Sequence, residues 1–226
     1  MQGYGNAGGS PGASRPGMGQ RSLQERNATR GTIRCMNPQD FFGVYDGALD
    51  PAFCRSVIER FEASPHRVAG KVGDATPTGA IRPEIKDTSE IMLTAERPEW
   101  ADVLAHVTGN LRAILPRYLE RWRAAFTVPL RPEDFRIARY QPGGHFDWHS
   151  DNMGGSVTRV VTAQWFLNDV AEGGATEFAW QGVAVSPREG RLLLAPVGWT
   201  YLHRGAPPVS GPKYIIITQL HQVLGP

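Results

Sequence analysis

Cysteine is scarce: Cys35 and Cys54 are the only two in 226 residues. They form no Cys-x-x-Cys pair and no ligand cluster, so the expectation is free thiols in a reducing compartment. No apolar run is long enough to span a bilayer, and no membrane partner is expected. The N-terminus, Met1 to Gly19, is rich in Gly and Ser and lacks the apolar core of a signal peptide. The expected location is therefore the cytoplasm. Charge of one sign is also lacking. The net charge is +2 with His neutral, too small to argue for nucleic acid as a main partner. No internal repeat of fixed period is present.

What is present is an ordinary globular composition, 41% hydrophobic and 20% charged. A chain of this length can bury a substantial core without disulfides. Residues 1–32 hold little that could pack and are expected to be a flexible tail. Its arginines, Arg15, Arg21, Arg26, Arg30 and Arg34 counting just past its end, are read as solvated charge. Residues 33–226 are expected to form a single domain, with helical support over 48–126 and a β core over 133–222.

The stretch Phe41–Tyr45 predicts a strand. Asp50-Pro51 predicts a helix start, with Asp50 as N-cap and Pro51 in the first turn. Phe53, Val57, Ile58 and Phe61 recur at helical spacing. The Gly-, Pro- and Thr-rich stretch from His66 to Asp87 is expected to be a long loop, and Lys86-Asp87-Thr88-Ser89 is read as a plain surface loop, with an approach to the substrate side as the alternative. A second helical region is expected from Pro98 to Phe126, interrupted at Pro116. Past Pro132, short β-like runs alternate with Gly/Pro turns: Phe135–Tyr140, Phe146–His149, Thr158–Leu167, Val183–Ser186, Arg191–Ala195, Trp199–Leu202 and Tyr214–Leu220. The fold class is α+β, mainly β: a jelly-roll core with N-terminal helices packed on one face.

Chemistry concentrates between Arg139 and Asp151. Residues two apart on a strand share a side, so His149 and Asp151 would present an imidazole and a carboxylate to one cavity. A second imidazole from a later strand would complete a two-His, one-carboxylate site with three open metal positions. His203, between strand-like runs, is the candidate. Lys213 opens the apolar run Tyr214–Ile217, where a lysine is costly unless paired. A bound dicarboxylate would supply that pair; snorkelling at a sheet edge is the alternative. His145 and Asp147 form another His-x-Asp pair of the same parity.

These residues resemble the prolyl 4-hydroxylase-like branch of the 2-oxoglutarate/Fe(II)-dependent dioxygenases. The resemblance is carried by Arg139, Tyr140, Gly143, Phe146, His149 and Asp151, by Leu167-Asn168-Asp169, and by Glu172-Gly173-Gly174-Ala175-Thr176-Glu177-Phe178. It continues through Gly190–Leu194 and ends with His203 and Lys213. It implies a double-stranded β-helix and iron(II) held by His149, Asp151 and His203. Lys213, Tyr140 and Thr176 would then bind the distal carboxylate of 2-oxoglutarate. Spacing from Tyr140 and Gly143 favours His149/Asp151 over His145/Asp147 as ligands. His145 and Asp147 become candidate substrate residues near the mouth. The implied reaction consumes O₂ and 2-oxoglutarate, hydroxylates an aliphatic carbon, and releases succinate and CO₂. Ascorbate is a candidate reductant. Asp151 favours hydroxylation over halogenation, because related halogenases lack that carboxylate. The implied substrate is a prolyl or other amino-acid residue in a peptide or protein. A free amino acid or small metabolite is the alternative. A non-enzymatic jelly-roll binding protein is the reading from another class. A cupin-type metal site would use His-x-His, which the chain lacks.

Overall fold

The computed structural model describes residues 41–73, 79–123, 125–126, 128–153 and 156–223. The expected tail and Cys35 lie outside the described residues.

The first strand is β1 (Gly43–Tyr45), shorter than the expected run from Phe41. Helix α1 (Pro51–Ala63) starts as its sequence dictates. The Asp50 carboxylate accepts from the N–H groups of Ala52 at 2.7 Å and Phe53 at 3.3 Å. Pro51 sits where no helical N–H is needed. Helix α2 (Ala101–Glu120) follows a short 3₁₀ turn, Pro98–Trp100. It does not break at Pro116 but runs on to Glu120, short of the expected Phe126. Pro116 forfeits one backbone bond. Tyr118 beyond it is buried and donates its hydroxyl to the Phe41 carbonyl at 2.8 Å, which anchors the last turn.

Between the helices lie two strands the sequence did not announce, β2 (Val68–Ala69) and β3 (Ser89–Leu93). The rest are β4 (Leu130–Pro132), β5 (Phe135–Tyr140), β6 (Phe146–His149), β7 (Arg159–Phe166), β8 (Thr176–Phe178), β9 (Val183–Val185), β10 (Leu192–Pro196), β11 (His203–Gly205) and β12 (Lys213–Gln222). The expected strand Trp199–Leu202 is instead a 3₁₀ turn, Trp199–Tyr201, and β11 begins only at His203. Gly198, at φ 133°, turns the chain just ahead of it. A short aromatic run cannot distinguish these outcomes by periodicity.

Two antiparallel sheets result. The larger runs β1-β10-β7-β12-β5-β3-β2, with β4 also on β12. The smaller runs β6-β11-β8-β9. This is the double-stranded β-helix arrangement, with two hydrophobic clusters. One joins α1 and α2 to the outer face of the large sheet through residues such as Phe61, Val107, Ile137, Trp165 and Ile216. The other lies between the sheets and contains Ala138, Tyr140, Phe166, Phe178, Leu193 and Ile215. Cys54 is free and lies in the outer cluster, where burial pushes its thiol up to about 11. No described helix is long and apolar enough to cross a membrane.

Candidate active site

Strand pairing brings the candidate ligands together. His203 on β11 lies directly opposite His149 on β6. Asp151 follows two residues past His149. Their ligand atoms all lie within 4.8 Å of one another. Asp151 Oδ1 is 3.6 Å from His149 Nε2, and Oδ2 is 3.6 Å from His203 Nε2.

Each imidazole is oriented from behind. His149 Nδ1 lies 2.7 Å from the Asp147 carbonyl, and His203 Nδ1 lies 3.0 Å from that of Tyr201. A carbonyl only accepts, so each Nδ1 carries the proton and each Nε2 lone pair faces inward. Phe146 stacks on His149 at 3.5 Å. Burial alone would raise the Asp151 carboxyl, but His203, His149 and Arg136 outweigh it and hold the group well below the usual carboxylate range. Burial lowers His203, with Asp151 opposing, which favours neutral imidazole. Two imidazoles with Nε2 turned inward and an ionised carboxylate suit a divalent transition metal, and the chemistry of the set fits iron(II).

The parity expected for β6 fails. Gly205 pairs with Phe146 while His203 pairs with His149, so three steps on β6 oppose two on β11. This bulge turns Phe146 and His149 both into the cavity. Asp147 is left exposed, its carboxylate accepting from the Trp148 N–H at 2.7 Å. His145 precedes the strand, its ring 3.3 Å from the Glu84 carbonyl. Neither lines the cavity.

Lys213 lies on the central strand β12, paired on both sides by β5 and β7, and is 1% exposed. It does not snorkel. Its ammonium donates to the Gly174 carbonyl at 3.0 Å and sits 3.9 Å from the Tyr140 ring centre. Among the described residues no carboxylate pairs with it, and burial lowers it to about 7. Tyr140 lies opposite it on β5, and burial raises its hydroxyl. The Gln164 amide donates to Thr176 Oγ1 at 2.9 Å, leaving the Thr176 hydrogen free to point elsewhere. Gly205 has no Cβ, which would stand 3.1 Å from the Tyr140 ring.

Four further cavity residues escaped the sequence reading or were discounted: Lys86, Glu90, Arg136 and Gln164. Lys86 is buried rather than on the surface, bonded to Glu90 Oε1 at 2.7 Å. The signal that could have found Glu90 and Arg136 was period-two alternation with Met92 and Tyr140, once β3 and β5 were known to pair. Arg159 lies outside the cavity lining and donates to the Asp151 carbonyl at 3.1 Å and to Glu133 at 2.5 and 2.6 Å.

Residues 135–221 match the model of the 2OG-Fe(II) oxygenase superfamily. A probable prolyl 4-hydroxylase 7 from Arabidopsis thaliana is 25% identical, over 85% of this chain and 66% of its own length. The chain spans two thirds or less of the curated relatives it matches. Among solved structures, a prolyl hydroxylase from Trichoplax adhaerens, in complex with a hypoxia inducible factor peptide fragment, superposes with a TM-score of 0.66. It is 15% identical, covering 81% of this chain and 84% of that one. A viral collagen prolyl hydroxylase from Paramecium Bursaria Chlorella virus-1, as its 2OG complex, gives 0.59 at 18% identity, covering 81% and 97%. The likeness of these structures bears on the fold. The family match spans the strands that carry the His–Asp–His cluster, so over residues 135–221 the chain is similar to the 2-oxoglutarate- and iron(II)-dependent oxygenases. The curated relatives it resembles are prolyl 4-hydroxylases.

Proposed function

We propose that this chain holds iron(II) through His149, Asp151 and His203 and 2-oxoglutarate through Lys213, Tyr140 and Thr176. With O₂ it hydroxylates an aliphatic C–H of a prolyl or other amino-acid unit, releasing succinate and CO₂; ascorbate serves as reductant. The observation that carries the reading is Lys213: a buried cation without a carboxylate, lining the same cavity as the His–Asp–His cluster. Burying an ammionium-type charge is costly until an anion arrives, and a dicarboxylate anchored at its far end meets that need.

When bound, iron(II) with 2-oxoglutarate and O₂ supplies the oxidising power that converts C–H to C–OH. The protein supplies position and charge. The Asp147 and Tyr201 carbonyls fix the tautomers of His149 and His203. The Gln219 amide lies 3.4 Å from Asp151 Oδ2 and orients that carboxylate. Lys213 donates to the arriving carboxylate, helped by the Tyr140 hydroxyl, which burial keeps protonated, and by Thr176, whose oxygen already accepts from Gln164. Phe146 and Phe178 flank the two imidazoles and exclude water. The prolyl substrate class is supported by the names of the relatives, and hydroxylation by the presence of Asp151.

The test is anaerobic titration of apo-protein with iron(II) and 2-oxoglutarate, reading the weak visible metal-to-ligand charge-transfer band. The expected result is a band that His149→Ala abolishes while the variant keeps its circular dichroism. Absence of the band in folded parent protein would overturn the proposal and leave a jelly-roll binding protein.

A further inference from the structure

We infer that Arg136, beside the Lys86–Glu90 ion pair, binds a carboxylate of the primary substrate, so that the site takes a free amino acid. The inference rests on the oxygenase reading above and names the substrate class for that site.

Pairing of β3 with β5 sets Glu90 opposite Ala138 and Met92 opposite Arg136. Lys86, Glu90 and Arg136 all line the cavity that holds His149, Asp151 and His203. The ion pair is internally satisfied. Lys86 Nζ is 2.7 Å from Glu90 Oε1 and donates to the Lys71 carbonyl at 3.2 Å. The Thr88 hydroxyl donates to the same Glu90 oxygen at 3.1 Å. The chain closes over the pair at Gly70, where a Cβ would fall 2.1 Å from Thr88 Oγ1. Lys86 and Glu90 therefore cancel in charge and are locked in place.

Arg136 is a second cation beside Glu90. Its closest carboxylate contact is Nε to Glu90 Oε1 at 4.0 Å, beyond hydrogen-bonding range. Among the described residues its guanidinium makes no hydrogen bond, although its side chain is only 20% exposed. The other charges it faces are the Lys86 ammonium, which repels it, and Asp151, which the metal would engage. A planar fork of donors in a half-buried cavity matches a carboxylate in two-point contact.

This is a second anion position, apart from Lys213. Arg136 pairs with Ile217 on β12, whereas Tyr140 pairs with Lys213. Four residues of strand put the two backbones roughly 13 Å apart. A neutral residue inside a polypeptide would cover Arg136 with backbone carbonyls at most, which make weaker bonds to a guanidinium than a carboxylate does. A free amino acid brings its own carboxylate.

The experiment uses the full chain loaded anaerobically with iron(II) and saturating 2-oxoglutarate. Free L-amino acids, their carboxamides and end-blocked peptides of the same residues are added in parallel. Binding is read as a rise in melting temperature, and coupled turnover as succinate released once O₂ is admitted. The expected result is at least one free acid that binds about 10- to 100-fold more tightly than its carboxamide. Arg136→Met should erase that difference without weakening the 2-oxoglutarate titration, and Arg136→Lys should restore part of it. Preference for blocked peptides, or no acid bound better than its amide, overturns the inference. So does Arg136→Met weakening 2-oxoglutarate instead, which would assign Arg136 to the cosubstrate. A missing charge-transfer band separates failure of the oxygenase reading from all of these.

Discussion

The two faces of the large sheet are built from the same strands and differ in almost every other respect. On β12, Tyr214, Ile216 and Leu220 join the outer cluster under the helices, while Lys213, Ile215 and Ile217 line the cavity. On β5, Phe135 and Ile137 face outward, and Arg136, Ala138 and Tyr140 inward. The outer face buries apolar surface, each large side chain contributing about 1.5–3 kcal/mol. The inner face holds Lys213, Glu90 and Arg136, which burial penalises. One face stabilises the fold and the other keeps charges poised for ligands, and alternation along a strand is what lets a single segment do both.

The largest effect that would separate the faces is in stability. Ile216→Ala should destabilise the protein by about 2–5 kcal/mol in denaturant unfolding. Its 2-oxoglutarate affinity should not change under folding conditions; a changed affinity would break the distinction between the faces. Lys213→Met tests the inner face with the opposite sign. Ligand-free protein should gain about 1–4 kcal/mol, because a buried unpaired charge is removed. 2-Oxoglutarate should bind about 10- to 100-fold more weakly by calorimetry.

The pH dependence of Lys213 sharpens the same point. Burial lowers it from 10.5 to about 7. Between those values the unfolded chain holds a proton that the folded chain lacks, so ligand-free stability should rise with pH from about 7 to about 10 and show no contribution from this group to the slope below 7. 2-Oxoglutarate needs the ammonium, so its affinity should fall by about tenfold per pH unit above 7, with proton uptake on binding. Lys213→Met should remove that slope. The smallest effect belongs to Asp147, outside both faces. Asp147→Ala should change stability by no more than about 0.5 kcal/mol and leave substrate KM unchanged.

Local chemistry made much of this legible in the sequence. The Asp50-Pro51 helix start, the bounds of β5 and β6, and the helices-then-strands order follow from caps, alternation and turn residues. Trp199–Leu202 was misread because a run of four residues has no reliable period. Lys86 was misread as surface because its partner Glu90 sits on β3, a strand hidden behind a Gly- and Pro-rich stretch. Arg136 was passed over because an arginine in a strand is ordinarily solvated, and its alternation with Tyr140 gains meaning only once β3 and β5 pair. His145 and Asp147 were placed by a strict two-residue repeat, which the bulge opposite Gly205 interrupts.

By itself, the sequence marked a His-x-Asp pair, a later histidine and a lysine before an apolar run as candidates on β strands, because those properties depend on neighbours along the chain. The tertiary structure alone decided that β11 lies against β6 and sets His203 opposite His149. It also decided that β5 and β7 flank Lys213 on both sides, and that Arg136 and Lys86 both stand beside Glu90 in the cavity. The physical reason is register. Hydrogen bonds between strands far apart in sequence choose which side chains share a cavity, and no local preference encodes that choice.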